Sequence, residues 1–238
     1  SIGKDGISTG GYHTSQPSIA IDRFDIIHAT WIHQNNFATG DTNLVIYSRT
    51  DSSSPTWGFA GVTDNVFQQV NKHGTDLLSN SNPQRCLWAH SPKIHLRKDD
   101  TPIIVWGGYD YSATADAMMS QHHVFANMAS ATQNHFSFDP DKGVVVSAKN
   151  NISHYSIGTN PQGVWHWDSV LDNRDVLHIV YNIHADESTL SGNPPTSGNP
   201  SHNVVECRVI ETDVLFSSQF DVNNGIGASM LIMEWDDS

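Results

Sequence analysis

The stretch PSIAIDRFDIIHATW (residues 17–31) decides the fold, because it returns twice without gaps as PKIHLRKDDTPIIVW (92–106) and WDSVLDNRDVLHIVY (167–181). Asp25, Asp100 and Asp175 lie 75 residues apart, as do Trp31, Trp106 and Tyr181 and also His28, Ile103 and His178. A fixed period of this length marks a repeat architecture. Each copy reads as an apolar strand, a turn rich in Asp, Asn and Lys, and a second apolar strand, which is the pattern of a tight hairpin.

Working outward, a third strand follows in each copy: NLVIYSR (43–49), HHVFANM (122–128) and NVVECRV (203–209). A fourth is expected near residues 57–62, 135–138 and 214–220, and GVVVSAK (143–149) reads as a further strand. Residues 113–131 have good helix propensity taken alone, but the repeat register puts a strand at their centre. The expected fold is all-β: three four-stranded β-propeller blades of about 75 residues, at about 12–80, 88–150 and 163–235, in one unit spanning 1–238. Closed propellers have more blades than three, so the chain reads as a partial propeller or as half of a six-bladed ring, with open edges that invite pairing.

The composition fits this plan. Of the 238 residues 37% are hydrophobic and only 16% charged, which suits short strands joined by polar loops. The net charge of −13, with 12 Lys and Arg, argues against nucleic acid or an anionic membrane as partner. No apolar run is long enough to span a bilayer, so no membrane insertion is expected. No signal peptide is visible and the chain starts at Ser1, which leaves open a mature secreted protein, a trimmed chain or a piece of a longer one. Cys86 and Cys207 imply no disulfide framework, and two free buried thiols are the plainer reading.

Function on such a scaffold is expected in loops held by rigid strands. Entering the first strands are Tyr12 and His13, then Trp88 and His90, then Trp165, His166 and Trp167. Leaving the second strands are His33, Gln34 and Asn35, then Tyr109, Asp110 and Tyr111, then His184, Asp186 and Glu187. His122, His123 and His202 open the third strands. A His and an aromatic therefore recur at one station in all three copies. Aromatic faces stack on sugar rings, and imidazole titrates near neutrality, so the expected partner is carbohydrate. The competing reading has the aromatics sealing joints between blades. His28 and His178, inside second strands, are expected to pack or to hydrogen-bond.

No cofactor is expected, although a structural calcium or zinc ion stays open. The run DPDKG, with Asp139 and Asp141, resembles half of a calcium loop but reads better as a plain turn. Cys86 with His90 would need other loops to complete a zinc site. No phosphate-binding loop or nucleophile elbow is present.

The stretch GGYHTSQPSIAIDRFDIIHATWIHQNN (10–36) resembles the BNR-type, sialidase-like propellers, and more closely the branch that contains propeller polysaccharide lyases such as ulvan lyases. TDSSSPTW (50–57) is a degenerate form of the Asp-box turn. The resemblance implies β-elimination on a uronate-containing glycan, with His13 and His33 at the family's two substrate-facing stations. Tyr109 and Arg85 are the positional candidates for the family's Tyr and carboxylate-neutralising base. The substrate-binding set is then Tyr12, Arg85, Trp88, His90, Tyr111, His122, His123, Trp165, His166 and His184. Two rivals stand beside this reading. One is a lectin-like or receptor-binding module at an extracellular, cell or virion surface. The other is a structural protein whose open blade edges pair with a second copy.

Overall fold

The computed structural model describes residues 13–35, 42–51, 54–57, 67–71, 86–110, 121–132, 135–147, 164–186, 201–217 and 228–236. Three antiparallel sheets follow one another along the chain. The first joins β1 (His13–Ile21), β2 (Ile27–Asn35), β3 (Thr42–Asp51) and β4 (Ser54–Trp57), with β5 (Gln68–Gln69) also paired to β3. The second joins β6 (Cys86–Leu96), β7 (Pro102–Asp110), β8 (Gln121–Met128) and β11 (Val144–Val145). Between them lies a two-stranded ribbon of β9 (Ser130–Thr132) and β10 (His135–Ser137). The third joins β12 (Val164–Leu171), β13 (Val176–Asp186), β14 (Ser201–Glu211) and β15 (Ala228–Asp236). Among the described residues the sheets form no closed ring, and no helix is long and apolar enough to cross a membrane.

The fourth strands correct the sequence reading. In the first sheet Ser54–Trp57 only hairpins onto the end of β3, and Gln68–Gln69 pairs with its centre. In the second, β10 pairs with β9, and the valines of β11 take the fourth place. In the third, the expected strand at 214–220 gives way to a helical turn, α1 (Thr212–Leu215), and the fourth strand is Ala228–Asp236. Burial explains the turn: the Thr212 amide donates to Asp175 O at 3.2 Å, and Leu215 is driven into the core between the second and third sheets. The strand at residues 121–128 holds against local helix propensity, because β8 is hydrogen-bonded along its length to β7.

The three first hairpins are the same turn. Asp25, Asp100 and Asp175 have φ of 61°, 66° and 61°, and each amide donates three residues back, to Asp22 O, Arg97 O and Asp172 O. Asp accepts this left-handed conformation more readily than most residues. In the first and third hairpins the opening Asp ties the turn together. Asp22 Oδ1 accepts from the amides of Phe24 and Ile26 at 2.8 and 2.9 Å, and Asp172 Oδ1 from those of Arg174 and Val176 at 2.7 and 3.0 Å. His28 Nε2 then lies 3.3 Å from Asp22 Oδ2, and His178 Nε2 lies 3.2 Å from Asp172 Oδ2. A carboxylate only accepts, so Nε2 carries the proton, and in the neutral ring His28 Nδ1 accepts from the Tyr47 hydroxyl at 2.9 Å. Burial holds the His28 pKa below its ordinary value against the pull of Asp22. Both His residues therefore hydrogen-bond within the scaffold.

Alternate residues of β7 enter opposite joints, as the two-residue strand period requires. Ile104 and Trp106 pack with Ile32, Val45 and Tyr47 of the first sheet, and Ile103 and Val105 with Leu177, Ile179 and Tyr181 of the third. Trp106 is 1% exposed and stacks on Phe125 with centroids 5.8 Å apart. Where the sheets meet, their first strands adjoin. The Ser91 amide donates to Gln16 Oε1 at 2.6 Å, the Ile94 amide to Ser18 Oγ at 3.2 Å, and His95 Nε2 pairs with Ser169 Oγ at 2.8 Å. The hairpins are latched in the same sense. The Arg23 side chain pairs with Asp100 at 2.7 Å, and the Lys98 amide donates to Asp175 Oδ1 at 2.9 Å.

Candidate functional site

The edge opposite the Asp turns carries the candidate residues, and the strand register says which of them are neighbours. In the first sheet His13 faces Gln34, which faces Asn43, and one step inward Thr14 faces His33. In the second, Leu87 faces Tyr109, which faces His122, with Gly108 opposite His123. In the third, His184 faces Asn203 and Ala185 faces His202. Gln34, Tyr109 and His184 occupy equivalent rows of the three sheets. Trp88 and Trp165 lie on β6 and β12, near the starts of these strands. Tyr12, Arg85 and Tyr111 lie outside the described residues, as does Glu187.

Each first strand carries a one-residue bulge within one residue of the same repeat position, and β6 bulges once more between Leu87 and His90. Partners shift between Ser15 and Ser18, between His90 and Lys93, and between Val164 and Trp167, each step being three residues against two on the second strand. In the first two, Gln16 and Ser91 adopt φ of 55° and 50° just before Pro17 and Pro92. Left-handed backbone at non-Gly residues is strained, and bulges turn side chains and strand ends near functional surfaces. Here the strain is held by the Gln16 side chain on the Ser91 amide.

His33 and His90 sit deeper than the sequence suggests. His33 is 5% exposed, and burial lowers its pKa. His90 is half-buried with its pKa lowered by the same cause, and its ring meets Trp167 over Gly107. A Cβ at Gly107 would fall 2.4 Å from His90 Cε1 and 2.7 Å from Trp167 Nε1, so this glycine is what lets the two rings converge. His166, inside the third bulge, is exposed.

The row beneath, where β6 meets β12, carries a further set of charged and aromatic side chains. Lys93 pairs with Asp168 and lies 5.6 Å from the centroid of the Trp167 ring. Lys93 is the main reason that the Asp168 carboxyl is held below its usual range. Burial, helped by Lys93, pushes His95 down to about 4. The signal was present: Gln16-Pro17 and Ser91-Pro92 repeat at the same 75-residue spacing.

Asp139 behaves as a turn residue. Its Oδ1 caps the 3-10 turn Pro140–Lys142 by accepting from the Asp141 amide at 3.0 Å, and its carbonyl accepts from Asn127 Nδ2 at 2.9 Å. Among the described residues no three His, Cys, Asp or Glu gather as metal ligands. Cys207 is a free, half-buried thiol on β14.

No family model and no curated protein matches the chain. Among solved structures, the polysaccharide lyase Uly1 is similar at 8% identity and a TM-score of 0.48, over 90% of this chain and 40% of that one. An N-acetylgalactosamine deacetylase from F. plautii, in complex with blood group B trisaccharide, is similar at 12% identity and a TM-score of 0.41, over 84% of this chain and 51% of that one. The chain thus spans about two fifths to one half of the length of these two structures.

Proposed function

We propose that the three sheets are blades of a β-propeller and that their bulged edge acts on a glycan, cleaving a uronate-containing polysaccharide by β-elimination. One observation carries this reading. The first strand of each of three adjoining sheets bulges within one residue of the same repeat position, on the strands that carry His13, His90 and His166. Aromatics supply stacking surfaces for sugar rings, and a His–Gln–Asn row beside a Tyr–His row supplies donors, acceptors and a titrating base.

In the proposed reaction His13 or Tyr109 takes the proton from the carbon next to the uronate carboxylate. The electron pair forms a double bond conjugated with that carboxylate. The glycosidic bond on the neighbouring carbon breaks, and its oxygen leaves with a proton from the second group of the pair. No water is consumed. His33, whose pKa burial lowers, is the alternative group to accept the proton taken from carbon. Arg85 is the proposed partner of the carboxylate.

The burial of His33 and half-burial of His90 favour a second reading, in which the same edge binds glycan without chemistry. One experiment separates the two. The protein is incubated with uronate polysaccharides, and the ultraviolet absorbance of the conjugated product is followed beside glycan binding. Absorbance that grows with the native chain and vanishes in His13→Ala supports the lyase. Binding that survives His13→Ala but fails in Trp88→Ala or Trp165→Ala, with no absorbance, supports the lectin-like reading. Neither signal on any glycan removes both.

A further inference from the structure

The third strands of the second and third sheets carry a polar residue at the same station, and the two sheets fill it differently. Asn127 on β8 stands opposite Ile104, and Arg208 on β14 stands opposite Ile179, its equivalent 75 residues on. Residues paired across strands point to the same face. Asn127 therefore faces the first sheet with Ile104, and Arg208 faces the second sheet with Ile179.

Asn127 ties its joint together. It is 0% exposed, and its Nδ2 donates to Val70 O at 2.8 Å and to Asp139 O at 2.9 Å. A neutral amide suffices for that task and leaves no charge to balance. Arg208 is 3% exposed, and its Nε and Nη1 are buried with no hydrogen-bond partner among the described residues. The described acids that follow it along the chain are turned away or engaged: Glu211 is exposed, and Asp213 pairs with Arg97 at 2.8 Å. The joint it enters is lined by apolar residues, among them Val124, Ala126, Val146, Ile210 and Leu215.

A guanidinium stays charged throughout the working range of pH. Buried among apolar side chains without a counter-charge, it is strongly unfavourable. A full charge at a station where the neighbouring sheet uses a neutral amide requires a negative charge beside it. We infer that Arg208 anchors a buried site for a compact monovalent carboxylate between the second and third sheets. One guanidinium balances one negative charge, so a dianion such as sulfate would leave a surplus charge in the joint. The planar fork of N–H donors matches the two oxygens of a carboxylate. The apolar residues of the joint suit the hydrocarbon part of an acid the size of formate or acetate. The site uses none of the residues of the proposed glycan edge, so either can fail without the other.

The test is thermal unfolding of the full chain at constant ionic strength, with sodium acetate replacing sodium chloride and sodium sulfate as the third salt. The midpoint should rise with acetate and then level off, by roughly 3–6 °C at ten times the dissociation constant. No rise over chloride, or the same saturating rise in sulfate, overturns the inference. Arg208→Met keeps the length of the side chain without its charge. It should abolish the acetate response and unfold no lower than the native chain in chloride, because it removes an unbalanced buried charge. A Met variant that keeps the response overturns the site. So does one that unfolds well below the native chain in chloride, since Arg208 would then be a tie of the joint as Asn127 is. A direct measurement on the native chain needs no variant. The resonance of 13C-formate should broaden when the protein is added and sharpen again with excess acetate, and a line that never broadens removes the site.

Discussion

At one edge the sheets turn back through residues 22–25, 97–100 and 172–175, each time with the same amide-to-carbonyl bond and the same positive-φ Asp. At the other edge the first strands bulge, and Gln34, Tyr109 and His184 stand in equivalent rows with three different side chains. The turn edge repeats one backbone hydrogen bond and one positive-φ Asp, whereas the row Gln34, Tyr109 and His184 at the bulged edge repeats a place with a different side chain each time. Side chains that satisfy backbone groups cannot vary without leaving donors unpaired, whereas side chains that face a ligand are free to differ from sheet to sheet. The comparison predicts that stability resides at the first edge and activity at the second.

The largest expected effect comes from His13→Ala. On the proposed lyase reading, turnover of a uronate polysaccharide should fall by about 100-fold or more with the unfolding midpoint unchanged. A stability loss equal to that of a turn mutation would erase the distinction between the edges. Asp22→Ala should do the reverse. It strips the acceptor from two backbone amides and from His28, costing about 2–3 kcal/mol in denaturant unfolding, while glycan binding by the folded protein persists. Asp22→Asn keeps the Oδ1 acceptor and should recover part of the loss.

Gly107→Ala sharpens the comparison from between the two edges. Its methyl group must displace His90 or Trp167, costing about 1–3 kcal/mol of overpacking. Because these rings lie directly under the bulged edge, glycan affinity should drop as well. Loss of stability alone would make the convergence of His90 and Trp167 purely structural.

The smallest effect is in pH. Burial depresses His95 to about 4 and also lowers His28 from the ordinary value of 6.5. Between those values the unfolded chain binds protons that the folded chain refuses, so stability rises with pH in this window and falls as pH drops from about 6.5 toward 4. The carboxylates lowered by their partners, Asp99 and Asp168, act only below the ordinary value of 3.8. Replacing His95 with Gln should flatten the upper window in chemical denaturation and leave the acid limb in place. An unchanged slope would remove His95 from the account.

The repeat, the three first hairpins, the third strands and the scaffold roles of His28 and His178 are legible in the residues alone. These depend on local alternation and on Asp at turn positions, both of which lie within about a dozen residues. The sequence also put Tyr109 and His184 in equivalent rows of two sheets, because a period of 75 maps equivalent positions onto equivalent places. Only the tertiary structure decided the fourth strands. Val144–Val145 and Ala228–Asp236 are chosen by hydrogen bonds from a strand distant in the chain, and Leu215 folds into a helical turn because a core pocket between two sheets takes it. Only the tertiary structure, too, put His33 under cover and half-buried His90. Burial and partnership are properties of what packs alongside, and no single stretch of chain contains its neighbour.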